Sequence, residues 1–232
     1  MSYPRGALHQ LTFEIDGAAS TADIEGLIIA GWTGRNRAAV EQHIAELAAV
    51  GVQRPPSVPC FYRLGPNLLT QADAIDVVGS RSSGEVEFVL ISLANGLHVG
   101  VGSDHTDRHV EAYSVTVSKQ MCPKPLGREL WRFADVSEHW DDLMLRSWVT
   151  RDGTRDLYQE GSVGKILTAS ELIVRFLGRQ GVLPAGKAMF CGTLAAIGAI
   201  RGGERFEIEL HDPVRNRSLK HTYLVRCLEL AD

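Results

Sequence analysis

The segment EVEFVLISL, residues 85–93, constrains this chain more than any other. A strand sends alternate side chains to opposite faces. Glu85, Glu87, Val89 and Ile91 therefore share one face, and Val86, Phe88 and Leu90 share the other. Both faces are apolar beyond residue 87. Such a strand is expected to be covered on both sides. The same segment starts with two carboxylates on one face. Ionised acids at that spacing repel each other, and beside a core they need a neutralising partner. Two readings follow: the pair lies at a solvated strand end, or a divalent cation sits between them.

The rest of the chain is also rich in strand patterns. LTFEID ends in Asp16-Gly17, a hairpin signal, and TADIEGLIIAGWTG continues as strand and then loop. Val40, Ile44 and Leu47 recur at helical spacing, with Gly51 placed to end that helix. QRPPSVP marks a boundary, giving an N-terminal mini-domain over 1–55 and a β-rich body over 56–232. In the body VPCFYRL, AIDVVG, EVEFVLISL, LHVGVGS and AYSVTVS read as strands, and KAMFCG, RFEIELHD and KHTYLVRCLEL follow later. DPVRNRS is a turn between the last two. Asp135/Glu138 and Thr168/Glu171 have the spacing of capping boxes. They predict one helix before Trp140 and Leu143 and another that uses Leu172, Ile173, Phe176 and Leu177 and ends at Gly181. Strand exceeds helix without βαβ alternation, so the fold class is α+β and β-rich.

Composition narrows the function. A net charge of −4, with 22% charged residues, carries no nucleic-acid signature. No run approaches the roughly 18–20 apolar residues of a membrane helix, and the N-terminus lacks the apolar core of a signal peptide. The four cysteines form no CxxC pair and read as reduced thiols, which makes a cytoplasmic protein the expectation.

A third acid favours the cation. SDHTDR at 103–108 closes another strand with Asp104 and Asp107 in a polar run. Glu85, Glu87 and Asp104 can then converge. Oxygen ligands suit Mg²⁺ or Mn²⁺, with Ca²⁺ a further candidate, over zinc. His98, His109, His211 and His221 show no metal-ligand spacing.

Taken together, these residues resemble the fumarylacetoacetate hydrolase superfamily, whose metal site is a Glu-x-Glu strand plus a later Asp. GRN at 34–36 with HIAE at 43–46 is similar to its Gly-Arg-Asn segment and the His-x-x-Glu helix of its lid. SDHTDR is similar to its metal turn, VSKQMCP at 117–123 to its catalytic-lysine segment, and AGKAMFCGTLAAIGAI at 185–200 to its Gly-Thr loop. These blocks keep the family order over roughly residues 30–210. Arg63 in CFYR stands where a lysine is usual, and His43 is displaced by about two residues, which marks an outlying branch.

The resemblance implies a mixed β-sheet roll with a small N-terminal β/helix element. It also implies a homodimer and an enzyme acting on a small-molecule carboxylate through a metal-stabilised enolate. The leading activity is hydrolysis of a C–C bond in an acylpyruvate-like or other β-dicarbonyl 2-oxo acid. A lyase or decarboxylase, an isomerase, a hydratase and a non-catalytic binding protein are the alternatives. In the roles it implies, Glu85, Glu87 and Asp104 hold the metal. Glu46 orients His43, the base for water, and Lys119 donates to the developing oxyanion. Arg108, Gly192 and Thr193 meet substrate carboxylates, and Tyr62 and Arg63 line the far end of the pocket. Each has a plainer reading as well. His43 borders an apolar stripe, Glu46 is a solvated helix residue paired with an arginine, Lys119 an exposed strand-end lysine, Arg108 a neutraliser of Asp104 or Asp107, and Gly192-Thr193 a turn. Trp131 and Trp140 read as core.

Overall fold

The computed structural model describes residues 8–49 and 54–229, and of His43, Leu47 and Ala49 the backbone alone. The strands are β1 (His9–Ile15), β2 (Ala18–Ile24), β3 (Gly26–Gly31), β4 (Cys60–Leu64), β5 (Ala74–Val78), β6 (Val86–Leu93), β7 (Gly96–Ser103), β8 (Glu129–Arg132), β9 (Met144–Arg151), β10 (Thr154–Ser162), β11 (Lys187–Phe190), β12 (Arg205–Asp212) and β13 (Arg217–Leu228), besides two-residue ladders. The α-helices are α1 (Arg37–Ala49), α2 (Arg108–Tyr113), α3 (Val115–Met121) and α4 (Ala169–Leu177). No helix among the described residues is long and apolar enough to cross a membrane.

A mixed eight-stranded sheet runs β2-β1-β8-β7-β6-β11-β3-β4, and a five-stranded sheet runs β10-β9-β12-β13-β5. β6 lies inside the larger sheet and is buried along its whole length. Its Val86, Phe88 and Leu90 join Leu145, Ile208, Leu210 and Leu219 of the second sheet in the core between the two layers. Its Val89 and Ile91 face a different core, with Leu11, Phe13, Leu27, Ile29 and Phe190. Strands from opposite ends of the larger sheet share that second core, so the sheet curls around it as a roll. The two-faced reading of residues 85–93 and the β-rich α+β class are both met.

The local signals act where their chemistry is strongest. Asp16 and Gly17 both take positive φ, 53° and 76°, and close the β1–β2 hairpin; Asp152 and Gly153, at 50° and 75°, do the same for β9–β10. A two-residue hairpin loop twists to match its strands only with such angles. Thr168 and Glu171 form a complete capping box on α4, whose Leu172 and Ile173 enter the core. Trp131 and Trp140 are core residues as read.

Three expectations are corrected, and one pairing crosses the proline-rich segment. AYSVTVS is helix, because Asp107 accepts from the N–H groups of His109 and Val110, and Ser114 from that of Val117, so two caps outweigh the β-branched run. The Asp135/Glu138 segment is a pair of 3₁₀ turns, Phe133–Asp135 and Ser137–Asp142, without a side-chain cap. α4 stops at Gly178, whose φ of 68° supplies the left-handed C-cap, before Gly181 is reached. β1 and β3, both from the 1–55 segment, pair in parallel with β8 and β11 of the body, so the proline boundary does not interrupt the sheet. Gly51 lies outside the described residues.

Thr168→Ala removes one half of the α4 box and should cost about 1 kcal/mol. The midpoint of denaturant unfolding checks this, and Thr168→Ser should recover most of the loss.

Candidate metal centre

Two strand ends build the centre. β6 and β7 pair in register, Val86 with Ser103 and Glu87 with Gly102. Beyond the ladder, the N–H of Asp104 donates to the Glu85 carbonyl at 3.0 Å, and the N–H of Glu85 to Ser103 Oγ at 3.1 Å. These bonds bring Asp104 beside the two glutamates. Glu85, Glu87 and Asp104 each offer one oxygen, and those oxygens lie within 4.8 Å of one another. Glu87 is 2% exposed and Asp104 is fully buried.

Three cations surround the acids. Lys119, near the end of α3, bonds Asp104 Oδ2 and lies 3.9 Å from Glu85 Oε2. Its plainer reading as an exposed strand-end lysine is therefore wrong: it is helical and buried. Lys124 is wholly buried, 3.0 Å from Asp104 Oδ1, and donates to the His105 carbonyl at 2.5 Å. Arg108 Nη2 lies 3.1 Å from Glu85 Oε1.

The charges divide unevenly. Burial pushes the Glu87 carboxyl well above the usual carboxylate range, and the neighbouring Asp104 and Glu85 add to this. Burial would raise Asp104 too, but Lys119 and Lys124 outweigh it and hold Asp104 low. Burial opposes the charge on Lys119, and Asp104 and Glu85 more than restore it. Asp104 and Lys119 thus form a settled ion pair, whereas among the described residues no cation forms an ion pair with Glu87. Among the described residues its hydrogen-bond donor is the N–H of Gly192, at 2.7 Å from Oε2. All three donors are hard carboxylate oxygens, so the set fits a divalent cation such as Mg²⁺ or Mn²⁺.

The other residues singled out from sequence fall into different places. Gly192 takes φ 100° and bends the chain after β11, so that its N–H serves Glu87 rather than pointing outward. Thr193 Oγ1 donates to the Val86 carbonyl at 2.7 Å and accepts from Gln159 Nε2 at 2.8 Å, so its proton is used inside the protein. Arg108 donates from Nε to Ser83 Oγ at 2.6 Å and from Nη1 to Glu111 Oε2 at 2.8 Å. These bonds use the donors of Arg108 and of the Gly-Thr pair within the protein, and the acids that Arg108 meets are Glu85 and Glu111 rather than Asp104 or Asp107.

Tyr62 and Arg63 leave β4 on opposite faces. Lys119 Nζ lies 6.0 Å from the Tyr62 ring centre, while Arg63 sits 5.6 Å over Phe176. Only Tyr62 is brought to the cluster. Glu46 is exposed on α1 and accepts from Gln42 Nε2 at 2.9 Å. The side chain of His43 lies outside the described residues. Arg35 of the GRN segment grips Asp141 through two bonds, at 2.6 and 2.9 Å, and donates to the Ile166 carbonyl. It anchors the start of α1.

Sequence reasoning missed four contributors. Lys124, between two prolines, gives no sign of its burial. Glu111 stands three residues after Arg108, a legible pairing once the segment is known to be helical. Gln159 Oε1 accepts from the N–H of Val86, which fixes the strand end. Tyr223 bonds Ser103 at 2.8 Å and His105 at 3.1 Å, and His105 bonds Ser82 at 2.9 Å. Burial, with Lys124 and Arg108 adding to it, pulls His105 down to about 3, so it is a neutral structural imidazole.

Glu87→Gln keeps an oxygen for the Gly192 N–H and removes a group whose ionisation burial opposes. The metal-free variant should be more stable than wild type by on the order of 1 kcal/mol. It should also bind Mg²⁺ or Mn²⁺ far more weakly; unfolding curves and calorimetric titration read the two effects separately.

Comparison with known proteins gives a family and a fold. The model of the family described as Protein of unknown function (DUF2848) matches residues 30–223. Curated protein sequences yield no match. Among solved structures, the fumarylpyruvate hydrolase of Pseudomonas aeruginosa in complex with Mn²⁺ and pyruvate is similar with a TM-score of 0.63, at 15% identity over 98% of this chain and 99% of that one. Yeast ynq8, a fumarylacetoacetate hydrolase family protein, is similar with a TM-score of 0.61, at 17% identity over 88% of this chain and 94% of that one. The chain therefore has the fumarylacetoacetate hydrolase fold, as its sequence motifs imply.

Proposed function

This chain belongs to the DUF2848 family, and from that premise we propose that it is a divalent-metal-dependent enzyme acting on a 2-oxo acid. The reaction we favour is hydrolysis of a C–C bond in an acylpyruvate-like or other β-dicarbonyl substrate. The observation that carries the reading is the convergence of Glu85, Glu87 and Asp104 beside the buried ammonium of Lys119. A structural scaffold has no need of a third acid next to Glu87, whose burial already disfavours its charge.

Glu85, Glu87 and Asp104 would hold Mg²⁺ or Mn²⁺. A bound divalent ion supplies Lewis-acid polarisation of the 2-oxo acid and stabilises negative charge at its keto oxygen. Lys119 is held protonated by Asp104 and Glu85. Its Nζ can donate a hydrogen bond to an oxygen that gains charge, and because it is fixed before the reaction it needs no reorganisation. The Gly192 N–H holds Glu87 in its ligand position. Tyr62 supplies a flat wall beside Lys119. In the hydrolytic reading His43 removes a proton from water and Glu46 orients its imidazole.

The exposure of Glu46 and its bond to Gln42 favour a second reading. Decarboxylation of an oxaloacetate-like acid uses the same enolate chemistry and needs no base for water. Loss of acylpyruvate hydrolysis in His43→Ala and Glu46→Gln supports the first reading. Retained turnover of oxaloacetate in both, without hydrolysis in wild type, supports the second. A homodimer is the assembly proposed from the resemblance, and light scattering tests it.

Lys119→Met separates metal binding from chemistry. It should lower turnover of acylpyruvates by about 10²-fold or more, the scale of losing one preorganised donor. Its affinity for Mn²⁺ should equal or exceed that of wild type, because a cation leaves the neighbourhood of the ligands. Full activity in this variant, or absence of 2-oxo acid turnover in metal-loaded wild type, overturns the proposal.

A further inference from the structure

We propose that Glu111 closes the site to substrates with a second carboxylate, so that this chain takes 2-oxo acids whose far end is uncharged. The inference rests on the hydrolytic reading above, goes on to name its substrate class, and stands against the oxaloacetate alternative, whose substrate carries two carboxylates. A dicarboxylate needs a cation free to meet its distal charge. Among the described residues, Arg108, Lys119 and Lys124 are the cations that pair with the acids of the centre.

Each of them is engaged. Lys119 and Lys124 occupy the two oxygens of Asp104. Arg108 has the planar fork suited to a carboxylate. Its fork is already divided, with Nη1 on Glu111, Nη2 facing Glu85 and Nε on Ser83. The Arg108 side chain is 17% exposed and that of Glu111 is 26% exposed, so these bonds are shielded from water. The backbone fixes the pairing. Asp107 caps α2, the N–H of Arg108 donates to the Arg81 carbonyl at 2.9 Å, and Glu111 follows at i+3 on the same short helix. A second substrate carboxylate arriving here would meet Glu111 and Glu85 before it met a free donor pair.

The surface next to Lys119 points the same way. Its neighbour there is the partly buried ring of Tyr62, an uncharged aromatic face. Such a face is suited to an apolar or planar acyl group, and it offers no charge to a carboxylate.

The test compares acetylpyruvate, whose acyl end is uncharged, with fumarylpyruvate, whose end is a carboxylate. Metal-loaded wild type and Glu111→Gln are each measured for kcat/KM and, by calorimetry, for Kd. Wild type should favour acetylpyruvate by about tenfold or more in both quantities, the scale of one charge-assisted bond. Glu111→Gln should shrink that ratio by about tenfold, mainly by improving fumarylpyruvate. Glu111→Ala is the second variant should the first fold poorly. Equal use of the two substrates by wild type, or an unchanged ratio in both variants, overturns the inference and leaves the general activity standing. Binding with the expected ratio but without turnover upholds the inference and removes the proposed activity. Failure of wild type to bind either compound removes both.

Discussion

Glu87 is held in a position that its own chemistry opposes, and much of the molecule serves to hold it there. A carboxylate 2% exposed beside two other acids is pushed toward its neutral form. Relaxation toward water is blocked on every side. β6 is covered by a core on each face. The β6–β7 ladder continues into the Asp104–Glu85 backbone bond, so the third acid cannot swing away. The left-handed turn at Gly192 sets a donor on Glu87, and Thr33 packs so close to that glycine that a side chain there would collide with it. The layered fold thus does more than bury apolar surface: it provides the low-dielectric walls that make the three acids want a cation.

Beneath the acids lies a layer of neutral polar groups. Ser82, His105, Tyr223 and Ser103 bond in a chain that ends at the backbone N–H of Glu85. Phe206 stacks on Tyr223 and packs edge-on to His105, which keeps water from the chain. Buried polar groups are stabilising only when each is satisfied. The chain meets that condition without adding charge under a cluster already crowded with it. His105 is a support of the turn that carries Asp104, neutral through burial.

What was legible in the sequence was whatever depends on residues close together or on strict periodicity. The period-two pattern of β6 fixed both of its faces, and Asp16-Gly17 fixed its hairpin because few residues accept positive φ at two successive positions. Glu85, Glu87 and Asp104 could be named because a short strand spacing and a strand end converge whatever surrounds them. Two kinds of information were out of reach. Val115, Thr116 and Val117 look like strand, and only the caps of Asp107 and Ser114 reverse that preference. With α2 and α3 unseen, the Arg108–Glu111 pairing was invisible too. The partners of Arg108, Gly192 and Thr193 are likewise set by tertiary packing. Sequence supplied their donor chemistry but not the fact that Glu111, Glu87 and Val86 already use it.

Asp104 has two lysines on one carboxylate, and the asymmetry between them fits the mechanism proposed for the centre. Lys124 is fully buried between Asp104 and the His105 carbonyl, so it locks the turn that carries Asp104. With one oxygen pinned in that way, the other fixes Lys119 at the edge of the cluster, within 3.9 Å of Glu85 and facing the Tyr62 ring. A single lysine would have to choose between holding Asp104 in place and meeting a reacting oxygen. In the proposed mechanism two lysines would divide those tasks. The second ammonium is then a charge oriented in advance by a rigid neighbour, the condition under which an electrostatic contact in a dry site is worth far more than it is in water.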